Sequence, residues 1–389
     1  MRFKRIFLII LDSLGVGETK DAYKYNSVGA NTLGHINDAY QPFIPNLKKI
    51  GFLNTVNMTD DDNAEAYYTT CTPQNSGVDS LNGHYEIVGV KNDKPFETFP
   101  KAFDMDLLKT ISRITGRRII GNLCCTDDSI IKKLGDAERN FGSLIIYTSG
   151  DSNLQVAAHE DTIPIKVLYQ YCERIRAITL KENIRISRII ARPFTGTNEK
   201  NYHFINSFKK EYTIKPTTKS ILNILESEKL SVIGIGKVND IFADNGITKS
   251  IKSHSNNEGI NKLIDIMDKD FTGLCMINLN DFDEIYAHNK DGEGYAKAIE
   301  ELDVEIPIIL NKLDLEDLLI ITADHGCDPT LSNGAHTREN VPLILYSRSF
   351  KKPRRLEPRE SIGDVAATIA DNFKIDKPEL GESILERLD

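Results

Sequence analysis

Three short apolar runs in this chain each end at a carboxylate or an imidazole, and that repetition limits the folds open to it. Lys4 to Leu11 is followed by Asp12. Gly273 to Asn280 is followed by Asp283 and His288, and Leu318 to Ile321 by Thr322-Ala323-Asp324-His325-Gly326. Apolar runs of this length, bounded by loop signals, read as buried strands. Strands that are apolar on both faces belong in a mostly parallel sheet with helices on either side, and such sheets build their sites beyond the carboxyl ends of the strands. The expected fold class is therefore α/β.

His336 stands eleven residues beyond His325, so six candidate metal ligands fall at strand ends or in the loops just after them: Asp12, Asp283, His288, Asp324, His325 and His336. Singly, each has a plain structural reading, because an Asp at a strand end caps the following helix and a lone His packs in a core. Their co-occurrence favours metal. A mixed carboxylate and imidazole set suits Mn²⁺ or Zn²⁺ better than Mg²⁺ or Ca²⁺, which take all-oxygen shells. Six ligands divide into two sites, and two-metal phosphoryl chemistry places such sites about 4 Å apart. A metal pair also lowers the pKa of a nearby hydroxyl enough to make it a nucleophile. Ser80 is the candidate, in the glycine-bracketed segment Ser76-Gly77-Val78-Asp79-Ser80-Leu81-Asn82-Gly83-His84-Tyr85-Glu86. Ser beside Asp and Gly is also ordinary turn chemistry, so spacing alone leaves both readings open.

The chain alternates strands and helices, as βαβ units do. Strands are expected at Leu230 to Ile235 and Val341 to Tyr346, and helices at Thr218 to Glu228, Gly259 to Asp268, Gly294 to Leu313 and Ser361 to Asn372. The stretch from Gly17 to about residue 94 reads as loop-rich. Between Pro95 and about residue 215 the pattern changes, with strands at Ser143 to Tyr147 and Ile186 to Ala191 and a helix at Ile165 to Leu180. The metal-bearing strands lie on both sides of that stretch. It is therefore expected to be an α/β cap (95–215) inserted into a discontinuous catalytic core (1–94 and 216–389), as a lid over a strand-end site requires.

Composition narrows the partners. A net charge of −9 argues against non-specific nucleic-acid binding. No apolar run approaches a bilayer span, and Ile6 to Leu11 is too short for a signal sequence, so a cytoplasmic protein with no membrane partner is expected. The six cysteines contain no C-x-x-C pair and read as reduced thiols. Cys327 stands apart, two residues after His325.

Several motifs, taken together, resemble phosphopentomutases of the alkaline phosphatase superfamily along essentially the whole chain. They are Phe7 to Gly17, Gly29-Ala30-Asn31-Thr32-Leu33-Gly34-His35-Ile36, Thr148 to Ser152 with Ala157 to Glu160, Ile190 to Phe194, Ile235-Gly236-Lys237, Asp281 to Asp283 with His288, Thr322 to Gly326, and His336-Thr337-Arg338-Glu339. The resemblance implies an isomerase with an alkaline-phosphatase-like core. It would hold two Mn²⁺ ions and interconvert the 1- and 5-phosphates of ribose or deoxyribose, with a sugar bisphosphate as possible activator. By position, Asp12, Asp324 and His325 would bind one ion and Asp283, His288 and His336 the other. Ser80 would carry the phosphoryl group. Asp151, Arg188 and Ile190 would approach the sugar from the cap, and Lys237 would meet substrate phosphate.

The chain departs from that family in two places. The family's nucleophile loop reads Gly-Lys-Asp-Thr-x-Thr-Gly-His-Trp-Glu, whereas here Val78 replaces the lysine, Ser80 the first threonine, Asn82 the second and Tyr85 the tryptophan. The family's arginine-rich cap stretch becomes Phe204-Ile205-Asn206-Ser207-Phe208-Lys209-Lys210-Glu211-Tyr212. Lysines cannot reproduce bidentate arginine recognition of a phosphate. The alternatives to a phosphopentomutase are thus a mutase of another sugar phosphate, a phosphatase or phosphodiesterase on the same core, and a non-catalytic paralogue.

Overall fold

The computed structural model describes residues 1–331 and 334–389. The chain divides into two compact units, one built from Met1–Lys94 with Pro216–Asp389 and the other from Pro95–Lys215.

The first unit is organised on a seven-stranded sheet. Its strands are β1 (Arg5–Leu11), β2 (Tyr67–Cys71), β3 (Ser231–Ile235), β4 (Lys249–Ile251), β5 (Gly273–Leu279), β6 (Asp317–Thr322) and β7 (Val341–Tyr346). They lie side by side in the order β4-β3-β5-β1-β6-β7-β2. β4, β3, β5, β1 and β6 run parallel, while β7 is antiparallel to both of its neighbours. Every residue of β1, β5 and β6 is buried, which accounts for their largely apolar sequence. In register, Leu11 pairs with Leu279 and Ile10 with Thr322. Three adjacent parallel strands therefore finish at one edge, and the residues that follow them leave the sheet together.

Helix boundaries follow capping chemistry more closely than hydrophobic spacing. The helix expected from Thr218 starts at Ile221, where Ser220 and Asn223 form a reciprocal capping box. The helix expected from Gly259 starts three residues earlier, at Asn256, because the Ser255 side chain accepts from the Glu258 N–H. The stretch read as loop-rich is better ordered than expected. It contains β2 and the helices Thr32–Tyr40 and Ser80–Ile87, whose short, polar sequences lack a clear apolar period.

The second unit is a smaller α/β domain. Its main sheet runs in the order Ile119–Cys124, Leu144–Thr148, Asn153–His159, Arg188–Thr195, His203–Phe204, with Lys210–Thr213 also paired to Arg188–Thr195. Alternate residues of one strand face opposite clusters. Leu144 and Ile146 pack with Leu107, Ile111, Leu168 and Ile175 from the helices Met105–Thr115 and Ile165–Lys181. Ile145 and Tyr147 pack with Ile130 and Ile131 from the helix Ser129–Phe141. That two-sided burial follows from the period-2 geometry of a strand.

Among the described residues no helix is long and apolar enough to cross a membrane.

Candidate metal centre

The turn after β1 begins with Asp12, which is buried. Asp12 Oδ2 accepts a 2.7 Å bond from Asn278 Nδ2, while its Oδ1 has no hydrogen-bond partner among the described residues. The next residue, Ser13, has φ of 73°, a left-handed conformation rare for a residue with a side chain. That turn aims the Ser13 N–H at Asp324 Oδ1, 3.1 Å away. Strain of this kind costs of order 1–3 kcal/mol and persists where the surroundings demand it.

Beyond β6 come Asp324 and His325, both buried. His325 Nε2 lies 3.4 Å from Asp12 Oδ1 and 3.3 Å from Asp324 Oδ2, yet makes no well-aligned hydrogen bond. Beyond β5 the chain enters a π-helix, Phe282–Ala287. In an α-helix, residues five apart point about 140° away from each other. The i→i+5 pattern removes that offset: the His288 N–H donates to the Asp283 carbonyl at 3.1 Å, and His288 Nε2 comes within 3.3 Å of Asp283 Oδ2. His336 completes the group, with Nε2 3.5 Å from Asp283 Oδ1 and 3.1 Å from His288 Nε2. The His325 and His336 rings lie with centroids 4.1 Å apart, tilted by 39°, which joins the two halves into one cluster.

Three sets of donor atoms lie within 4.8 Å of one another: Asp12, Asp324 and His325; Asp283, His325 and His336; and Asp283, His288 and Cys327. Their electrostatics point the same way. Burial and then the Asp324 and Asp283 carboxylates push the Asp12 carboxyl above its usual range. Burial works against ionisation of Asp324, but His325 and His84 outweigh it and hold the carboxyl well below the usual range. Burial likewise opposes protonation of His288, yet the bond to Asp283 dominates and pushes the imidazole up to about 12. Protons are thus favoured on His288 and His325, next to the carboxylates. Asp12 Oδ1, Asp283 Oδ1 and His325 Nε2 are buried without a hydrogen-bond partner among the described residues, and two imidazole nitrogens face each other at 3.1 Å. Divalent cations would satisfy all of these at once, and these donors fit such ions.

Ser80 is the first residue of the helix Ser80–Ile87, capped by Asp79, whose side chain accepts from the Asn82 N–H. Its Oγ donates to Asp324 Oδ2 at 2.6 Å. His84, one turn along, places Nδ1 2.8 Å from the Ser80 carbonyl and 3.0 Å from Asp324 Oδ2. The hydroxyl, the imidazole and the carboxylate therefore share one buried contact. Gly83 permits it, because a Cβ there would lie 2.1 Å from the Asp324 carbonyl oxygen. Arg338 braces the preceding segment through its guanidinium, which donates to the carbonyls of Pro73, Asn75 and Gly77. His84, Ser13 and Arg338 escaped the sequence reading as contributors. Only His84 left a signal there, four residues after a serine at a helix start.

The remaining candidates lie elsewhere. Lys237 follows β3, and its Nζ donates at 2.9 Å to both Asn280 Oδ1 and Glu284 Oε2, on the segment that carries Asp283. Asp151, Arg188 and Ile190 belong to the second unit. Arg188 pairs in register with Asn153, two residues after Asp151, and lies 3.6 Å from Glu211 Oε2. Ile190 is buried in the same strand. An apolar cavity of about 180 Å³, lined by Ile260, Phe282 and Leu302 among others, carries neither imidazole nor thiol among the described lining residues.

Comparison with known proteins places this geometry in context. The family description "Metalloenzyme superfamily" matches residues 4–377. Among solved structures, the PH0037 protein from Pyrococcus horikoshii aligns with a TM-score of 0.50 at 15% identity, over 96% of this chain and 98% of its own. A phosphoglycerate mutase from Leishmania mexicana gives 0.48 at 12% identity, over 98% and 97%. An alkaline phosphatase superfamily protein from Vibrio parahaemolyticus gives 0.47 at 11% identity, over 99% and 70%. At 15% identity the likeness to the first of these is one of fold.

Proposed function

The chain belongs to the metalloenzyme superfamily, with an alkaline-phosphatase-like α/β fold, and from that premise we propose that it is a phosphopentomutase working through a phosphorylated Ser80. One observation carries the reading: a serine hydroxyl at a helix start lies 2.6 Å from a carboxylate within a buried cluster of unpartnered metal-type donors.

In this reading Asp12, Asp324 and His325 hold one divalent ion and Asp283, His288 and His336 a second, each taken as Mn²⁺ on the sequence resemblance. Such ions neutralise phosphate charge and lower the pKa of the attacking hydroxyl. The protein's own groups do the rest. Asp324 Oδ2 receives the hydroxyl hydrogen bond and fixes the direction of the Oγ lone pairs. His84 Nδ1 donates within the same contact and keeps Asp324 ionised. Phosphorylated Ser80 gives its phosphoryl group to the free hydroxyl of the bound sugar monophosphate: the new sugar O–P bond forms as the Oγ–P bond breaks, and the hydroxyl proton passes to Oγ. The resulting bisphosphate turns over and returns its other phosphoryl group to Oγ, whose proton goes to the sugar oxygen released. On the sequence resemblance, Asp151, Arg188 and Ile190 of the inserted unit would meet the sugar and Lys237 the substrate phosphate. The substrate is a small sugar phosphate, and the setting is cytoplasmic.

A second reading, hydrolysis of a phosphate ester without a distal phosphate, is favoured by one feature of the inserted unit. Lys209 and Arg188 both lie against Glu211, at 2.9 and 3.6 Å, so their charge is already offset where the resembling family carries arginines. One experiment separates the readings. Protein supplied with Mn²⁺, ribose 5-phosphate and catalytic sugar bisphosphate is expected to form ribose 1-phosphate. Release of inorganic phosphate without the isomer would establish the hydrolase instead.

A further inference from the structure

Most cysteines of this protein have an evident packing role or none. Cys275 lies inside β5 and Cys172 inside a helix, and both are buried among apolar side chains. Cys327 is different. It is fully buried, and it is the one cysteine among the described residues that shares a cluster with ligating groups. Its thiol, Asp283 and His288 offer donor atoms that all lie within 4.8 Å of one another. Ligands around a tetrahedral zinc ion stand about 3.5 Å apart, given bonds of roughly 2.0–2.3 Å, so modest movement would bring the three onto one ion.

Two further features bear on this set. Asp283 turns Oδ2 toward His288 Nε2, 3.3 Å away, while its Oδ1 faces His336 Nε2 at 3.5 Å. His288 Nδ1 lies 2.9 Å from the Gly334 carbonyl, which can only accept, so Nδ1 carries the hydrogen and Nε2 is left to face inward. Fixing the far nitrogen in this way is how ligating histidines are oriented. The Cys327 N–H donates to the Ser13 carbonyl at 3.0 Å, and its thiol lies 3.9 Å from the Gly334 carbonyl, the same oxygen that orients His288.

We propose that Cys327 is a ligand on the Asp283–His288 side of the centre, which makes that side sulfur-bearing and selective for Zn²⁺ or Co²⁺, while the Asp12–Asp324–His325 side remains an oxygen and nitrogen site. This inference rests on the metal-centre reading above. On binding, the thiol loses its proton to solvent and the sulfur lone pair forms the bond to the ion. Thiolate donors select soft ions, whereas Mn²⁺ favours oxygen. The chain therefore distinguishes its two sites by ligand chemistry, and the resident ions need not be identical.

The test uses the intact protein, stripped of metal and reloaded with Co²⁺ or Zn²⁺ alone. The cobalt form is expected to show a near-ultraviolet thiolate-to-metal charge-transfer band beside its visible ligand-field bands. The zinc form is expected to show a sulfur shell at about 2.3 Å in X-ray absorption. Cys327→Ser should remove band and shell, keep the bound metal, and lower the Zn²⁺ to Mn²⁺ preference of the site at least about tenfold. Metal bound with only nitrogen and oxygen neighbours in the unaltered protein would overturn the sulfur ligand and leave the metal centre standing. Failure of the unaltered protein to retain either ion would overturn both. Because the spectra of the unaltered protein decide the matter, a poorly folded variant cannot obscure it.

Discussion

A buried carboxylate that accepts hydrogen bonds from both a serine and a histidine is a pre-set orienting device, and at Asp324 it determines what neighbouring substitutions should do. Ser80→Ala removes the only hydroxyl at that contact without opening a large cavity. Phosphoryl labelling of the protein by a sugar bisphosphate should fall to background while the melting temperature stays within a few degrees. Labelling that persists in the alanine protein would assign the nucleophile elsewhere. Asp12 behaves in the opposite sense. Its carboxyl is buried beside two others, with Oδ1 unpartnered, so in the metal-free protein it is a source of repulsion. Asp12→Asn should stabilise the metal-free protein by about 1 kcal/mol and weaken metal binding by at least about 100-fold. Calorimetric titration of both proteins with Mn²⁺ measures the loss of binding, and denaturant unfolding of both metal-free proteins measures the gain in stability. These positions were legible unequally. Asp12, Asp324 and His325 could be picked out as candidates because each lies just past the end of an apolar strand. Ser80 could be read only as one of two alternatives, because what distinguishes it is a contact with Asp324, 244 residues away.

At the level of elements, the centre depends on two departures from regular geometry. The π-helix Phe282–Ala287 brings Asp283 and His288 to one side, and no hydrophobic period announces it. The helix Ser80–Ile87 is the second, since it presses on the Asp324 backbone at Gly83. Gly83→Ala would put a methyl group 2.1 Å from that carbonyl oxygen, with backbone on the far side, and the helix must move. Overpacking of this kind costs typically 1–3 kcal/mol. The shift would also lengthen the contact between Ser80 and Asp324. The expected outcome is a lower denaturation midpoint together with slower phosphoryl labelling. Loss of stability at an unchanged labelling rate would separate the helix position from the chemistry. The strands β1, β5 and β6 were readable because burial on both faces writes a continuous apolar run. The helices Thr32–Tyr40 and Ser80–Ile87 were not, because caps such as Asn31 and Asp79 specify them rather than an apolar stripe.

For the molecule as a whole, the discontinuous arrangement was visible because ligand-bearing strands flank the middle segment. Inside that segment the strands Ile119–Cys124 and Asn153–His159 passed unrecognised, since Gly121 and Asn122 interrupt the first and Gln155 and alanines dilute the second. The two units should also respond to different agents. Metal binds only folded donors, so a chelator is expected to lower the unfolding temperature of the first unit; an ion at a thousand times its Kd supplies about 4 kcal/mol per site. Differential scanning calorimetry with and without chelator measures that loss. The second unit holds no part of the centre and carries a pH response of its own. Glu138 is fully buried, and neither carboxylate oxygen has a well-aligned hydrogen-bond partner among the described residues. Burial, only partly offset by His159 and Thr162 nearby, pushes its carboxyl up from 4.5 to about 7. The folded form thus holds the proton more tightly than the unfolded one. The resulting stability is fully present below about pH 4.5 and is lost as pH rises toward about 7. Discounted for screening, the loss is of order 2 kcal/mol. Glu138→Gln keeps the shape and removes the charge, so hydrogen exchange of the helix Ser129–Phe141 should become independent of opening pH across that window, once intrinsic exchange is corrected for. A variant whose protection still falls between pH 4.5 and 7 would place the titrating group elsewhere in the unit.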